Sequence, residues 1–165
     1  RSALGSSCSP GLTYDALPKM DFRETVRNEI QNVLHELDFV NTLVAKHADT
    51  ALDDVEIRAA ALSLSTIYSG IEKTMLHVLK DRHGLGPEGP NWHTELLDLV
   101  GQKSLLSDDV RNELKSFLAF RHFVRHAYSF ELDPAMIGRI LDRAPDVVER
   151  FANEIRQAYL DTESQ

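Results

Sequence analysis

The chain has 165 residues, 42% of them hydrophobic, enough to bury the core of one domain and thin for two. With 18 Lys and Arg against 26 Asp and Glu the net charge is −8, which repels nucleic acid at long range and argues against a non-specific polyanion binder. A single cysteine, Cys8, rules out a disulfide framework and any cysteine-based zinc site, and a reducing, cytoplasmic setting is expected.

No apolar run approaches the roughly 20 residues of a membrane span, so no membrane association is expected, and no secretory pattern is read at the start. Residues 1–19, RSALGSSCSPGLTYDALPK, are rich in Ser, Gly and Pro and lack periodicity. They predict a flexible N-terminal tail ahead of a single helical domain over 20–165, with Met20 a candidate natural start. Phe22, Val26, Ile30, Val33, Leu37, Val40 and Val44 recur every three or four residues, which predicts an amphipathic helix over about 21–48. Asp21 can cap it, with Glu24 three residues on. Val55, Ala59, Leu62, Ile67, Ile71, Met75 and Val78 predict a second long helix over about 53–82. Asp53 and Asp54 suit its start, and Gly84 its exit.

The string GLGPEGPNW (84–92) is a loop, and a short helix over about 92–101 follows with Asn91 as its expected cap. Ser107 caps a third long helix, Asp108 and Asp109 fill its first turn, and its pattern runs to about Tyr128. Asp133-Pro134 opens a last helical region, which Pro145 is expected to kink or break into segments of about 134–143 and 145–161. There is no strand alternation and no internal repeat. The expected fold is all-α: a bundle of four main helices plus a short one.

Chemistry concentrates in FRHFVRHAYSF (120–130). Residues 111–128 set Arg111, Lys115, Arg121 and Arg125 against Glu113 alone, a local basic site on an acidic protein. On a helical wheel Arg121 falls inside the apolar stripe of Val110, Leu114, Phe117, Leu118, Phe120 and Val124. Arg125 and Tyr128 project onto the same face, and His122 and His126 stack on its flank. A guanidinium in an apolar stripe needs a carboxylate, an anionic ligand or a facing subunit. Taken singly, each histidine reads as a solvated flank residue. Together the set suits RNA phosphodiester cleavage: arginine binds and stabilises phosphate charge, histidine moves a proton, and the 2′-hydroxyl is an internal nucleophile. No metal or cofactor is needed. Arg121 and His126 lie about 140° apart on an ideal helix, and a two-fold dimer would let each cleft draw on both copies.

Elsewhere, Trp92-His93 reads as a Trp anchoring the loop on the core, with a contact to RNA or a partner as the alternative. Glu72-Lys73 reads as a solvated pair. The Glu-x-x-His repeats of a carboxylate-bridged di-iron bundle are missing.

Arg121, four residues, His126, one residue and Tyr128 match the R-x4-H-x-Y signature of HEPN-domain ribonuclease toxins of the HepT type. The segments YSGIEKTMLHVL (68–79) and GPEGPNWHTELLDLV (86–100) also resemble HepT-like proteins, and the resemblance covers about 21–160. It implies a HEPN helical bundle and a metal-independent endoribonuclease leaving cyclic phosphate and 5′-hydroxyl ends. Arg121 and His126 would be catalytic, with His122 assisting. The toxin would act as a homodimer with its cleft at the interface. Tyr128 would be the tyrosine that a partner MNT-type nucleotidyltransferase antitoxin modifies with AMP. The alternatives are an idle HEPN module that binds a nucleotidyltransferase, and a plain structural helical dimer. The intact Arg/His/Tyr set favours the nuclease over the last of these.

Overall fold

A computed structural model describes residues 21–128 and 131–162. The expected tail over 1–19, and Met20, lie outside these residues. The described chain is all-helical: α1 (Phe22–Asp49), α2 (Asp54–His83), α3 (Trp92–Gln102), α4 (Asp108–His126) and α5 (Pro134–Ile155), then a π-helical turn over Arg156–Leu160.

Local chemistry explains most boundaries. The Asp21 carboxylate accepts from the Arg23 and Glu24 amides and starts α1. Asp53 and Glu56 form a reciprocal capping box at the start of α2, which Gly84 ends in the left-handed conformation at φ 61°. Ser107 Oγ accepts from the Val110 amide to start α4. The Ser107 amide and hydroxyl also donate to the Glu154 carboxylate at 2.7 Å each, which ties the start of α4 to α5. Asn91 occupies the cap position of α3, but its side chain makes no capping bond.

α2 is the axis of the bundle, packed against all four other helices. α1 buries Val26, Ile30, Val33, Leu37 and Val40, the stripe expected from the sequence, and packs mainly against α2. The two helices approach closely at Gly70, where a Cβ would collide with the Val33 side chain. The stripe expected on α2 needs correction at its start: Val55 and Leu62 are exposed, and the buried positions there are Ile57, Ala60, Ala61 and Leu64. A central helix buried on several sides has no single stripe to read.

Two expectations about helix ends also need correction, the break at Pro145 and the end of α4. α5 runs unbroken through Pro145. Proline costs roughly 3 kcal/mol inside a helix; the buried Ile140, Leu141, Val147, Val148 and Phe151 on either side hold the helix together across it. And α4 stops at His126: Ala127 turns extended at φ −77°, ψ 143°. Tyr128 therefore lies beyond the helix, and the face it was expected to share with Arg121 and Arg125 does not exist.

Among the described residues no helix is long and apolar enough to cross a membrane.

Candidate functional site

The site is built where the second half of α2, the start of α3 and the end of α4 meet. Its centre is Glu72, only 2% exposed in the middle of α2. A carboxylate buried this deeply needs compensating donors. One is His93, at the start of α3, whose Nδ1 meets Glu72 Oε1. The other is Arg121 of α4, whose Nη1 lies 3.4 Å from Glu72 Oε2. Arg121 also donates from Nε to Ser69 Oγ at 3.1 Å. The partner that Arg121 required is thus found within the chain. The reading of Glu72-Lys73 as a solvated pair is wrong for its first member: Lys73 is exposed, Glu72 is not. The missed signal was spacing, since Glu72 shares a helical face with Tyr68 and Met75, both fully buried.

Trp92 packs partly buried against the core, as expected, and its ring lies 3.6 Å from that of His93. His93 in turn meets His122 edge to face at 5.2 Å between ring centroids. No such contact joins His122 to His126. His122 is exposed, but the partial desolvation of its ring first, then the nearby His93 and Arg121, hold its pKa below the ordinary histidine value. A neutral imidazole near neutral pH can accept a proton. Beneath the network, burial and the Glu72 charge push the Tyr68 hydroxyl far above the usual phenol range, and that hydroxyl has no hydrogen-bond partner.

Beside this network a cleft of about 570 Å³ opens between α1, α2 and α4. Arg121 and Arg125 line it from α4, as does Lys73 from α2. His122, His126 and Tyr128 do not. His126 is exposed on the last turn of α4. Tyr128 is 70% exposed, and its backbone amide donates to Glu131 at 2.7 Å. The structure therefore brings Arg121 and Arg125 together in one wall, places His122 against His93, and leaves His126 outside the cleft, as the 140° separation anticipates.

The string Gly84-Leu85-Gly86-Pro87-Glu88-Gly89 spells G-x-G-x-x-G. It leaves a helix and follows no strand, so it lacks the setting of a dinucleotide fingerprint. No group of three or more His, Cys, Asp or Glu among the described residues is placed to hold a metal ion.

The helices and the site define an all-α bundle with a basic wall on α4 set upon a buried Glu–His–Arg network. The chain belongs to the HepT-like protein family, whose profile matches residues 59–162. That segment contains Glu72, His93, Arg121, His126 and Tyr128; α1 lies outside it. The solved structure titled as the cytosolic protein of unknown function YutE from Bacillus subtilis is similar in fold. Its TM-score is 0.64 at 16% identity, over 82% of this chain and 88% of that one. No curated protein matches the chain.

Proposed function

We propose that this chain is the toxin of a toxin–antitoxin pair: a HEPN-type bundle acting as a metal-independent endoribonuclease. The observation that carries this reading is the wall of α4. Arg121 is held by Ser69 and Glu72 at the edge of a cleft it shares with Arg125, and two histidines follow on the same helix end. In the reaction the RNA 2′-hydroxyl attacks the adjacent phosphorus and gives its proton to an imidazole. The bond from phosphorus to the 5′-oxygen breaks, and the leaving oxygen takes up a proton. The products are a 2′,3′-cyclic phosphate and a 5′-hydroxyl. Arg121 and Arg125 bind the phosphate and stabilise its added charge. His126 transfers the proton, and His122, kept neutral, assists.

His126 needs a route to the cleft, and a homodimer pairing two α4 helices would supply it by bringing each His126 to the partner's arginines. Since Glu72 already neutralises Arg121, this dimer rests on the catalytic geometry and the family resemblance. Tyr128, exposed just past α4, would accept AMP from an MNT-type nucleotidyltransferase antitoxin, placing negative charge and bulk near the arginines.

A second reading is an idle bundle that binds a nucleotidyltransferase. The engagement of Arg121 by Ser69 and Glu72 favours it, because two of the guanidinium's nitrogens are then directed inward. The experiment that separates the two is RNA cleavage by the purified protein in EDTA. The nuclease reading expects cleavage that His126→Ala lowers by roughly 10²–10⁴-fold. Equal rates for wild type and variant, or loss of cleavage on chelation, count against it.

A further inference from the structure

The cleft has a second wall that the nuclease reading does not use. Besides Arg121 and Arg125 of α4 and Lys73 of α2, the cleft is lined from α1 by Glu29 and Glu36, with Asn32 and His35 between them. Its volume of about 570 Å³ falls in the range of small-ligand sites. Lys73, Arg125, Glu29 and Glu36 enter no ion pair among the described residues, although cations and carboxylates line the same space. Opposite charges that line one cleft without pairing leave room for a ligand that engages both. Ser65, in the α2 floor, has a buried hydroxyl oxygen with no hydrogen-bond partner.

The ligand that fits carries an anion at one end and hydrogen-bond donors at the other. Inorganic phosphate answers only the cationic wall. A nucleotide answers both, with its phosphate on Lys73, Arg121 and Arg125 and its base edge on the carboxylates. Ionised carboxylates only accept hydrogen bonds, so they discriminate among bases. Guanine offers two adjacent donors, N1–H and the N2 amine, which match the two oxygens of one carboxylate. Cytosine and adenine offer a single amine. Uracil sets its one N–H between two carbonyls, which a carboxylate repels.

We infer that this cleft is a nucleotide subsite with a phosphate wall on α2 and α4 and a base wall on α1 that prefers guanine and rejects uracil. The inference deepens the ribonuclease reading by naming a base preference for its substrate. The phosphate wall lies within the segment matched to the family, and α1 lies outside it. The base preference is thus carried by a part of this chain beyond the matched segment.

The test is calorimetric or NMR titration of the full chain at low salt with the 3′-monophosphates of guanosine, cytidine, adenosine and uridine, and with inorganic phosphate. Guanosine 3′-monophosphate should bind roughly tenfold or more tighter than the uridine compound, the worth of one bidentate base contact. The partly exposed Glu29 and Glu36, replaced together by Gln, should lose that ratio while still binding uridine 3′-monophosphate. Lys73→Ala, at an exposed position, should weaken all four nucleotides by a similar factor. Equal binding of the four, phosphate binding as tight as guanosine 3′-monophosphate, no binding at millimolar concentration, or a ratio untouched by the Glu variants overturns the inference. Guanosine binding without RNA cleavage retains the subsite and removes the nuclease. Cleavage with a base preference indifferent to Glu29 and Glu36 does the reverse.

Discussion

Removal of Glu72 should be the most damaging change to the site's architecture. Its side chain is 3% exposed, and those of its partners His93 and Arg121 are each 13% exposed. Glu72→Ala leaves the Arg121 guanidinium nearly buried and without its ion-pair partner, with Ser69 its one hydrogen-bond partner among the described residues. Breaking one side of a buried ion pair typically costs about 3–5 kcal/mol, because the surviving charge stays desolvated. For a domain of this size that corresponds to a fall in melting temperature of roughly 6–20 °C. Urea unfolding followed by far-UV circular dichroism measures it directly. In the double variant with Arg121→Ala the stranded charge is gone, so the combined loss should be smaller than the sum of the two single losses by about 0.5–3 kcal/mol. Exact additivity, or a Glu72→Ala variant within about 0.5 kcal/mol of wild type, would show that the network contributes nothing and refute the reasoning.

Gly70→Ala should destabilise by about 1–3 kcal/mol in the same assay, because the new methyl collides with Val33 and the gain in helix propensity is smaller than the cost of forcing α1 and α2 apart. The His122 ring should titrate by NMR below the ordinary histidine value of about 6.5, since partial desolvation and neighbouring positive charge disfavour its protonated form. Its unfolded form then binds the proton more readily, so its contribution to stability is present above that ordinary value and is lost as pH falls through the folded pKa. His122→Gln should flatten that acid-side loss, and an unchanged slope would contradict it.

The helices were legible in the sequence because their determinants are local. Spacing of three and four placed α1 and α4, while Asp21, Asp53, Ser107 and Gly84 marked ends that the structure caps as expected. What the sequence hid depends on neighbours distant in the chain. Glu72-Lys73 looks like any surface pair until α3 and α4 close over one residue of it and bring donors 21 and 49 positions away (93 − 72 and 121 − 72) onto its carboxylate. Val55 and Leu62 matched a helical period but point outward at the start of α2. Pro145 carried a strong local signal to stop, which packing on both sides of it overrides. Extending the helical period carries Tyr128 onto α4, two residues past the helix's true end. For the candidate site, the sequence pointed to the basic helix end and to Arg121 as a residue in need of a partner. Glu72 and the α1 wall of the cleft emerge only from the packed bundle.

The most direct measurement of the central claim is the chemistry of the ends left on RNA incubated with the protein in EDTA. Attack by the 2′-hydroxyl predicts fragments bearing 2′,3′-cyclic phosphate and 5′-hydroxyl groups, formed by wild type and strongly reduced with Arg121→Ala or His126→Ala. Fragments with 3′-hydroxyl and 5′-phosphate ends, or RNA left intact by the wild-type protein, would contradict it.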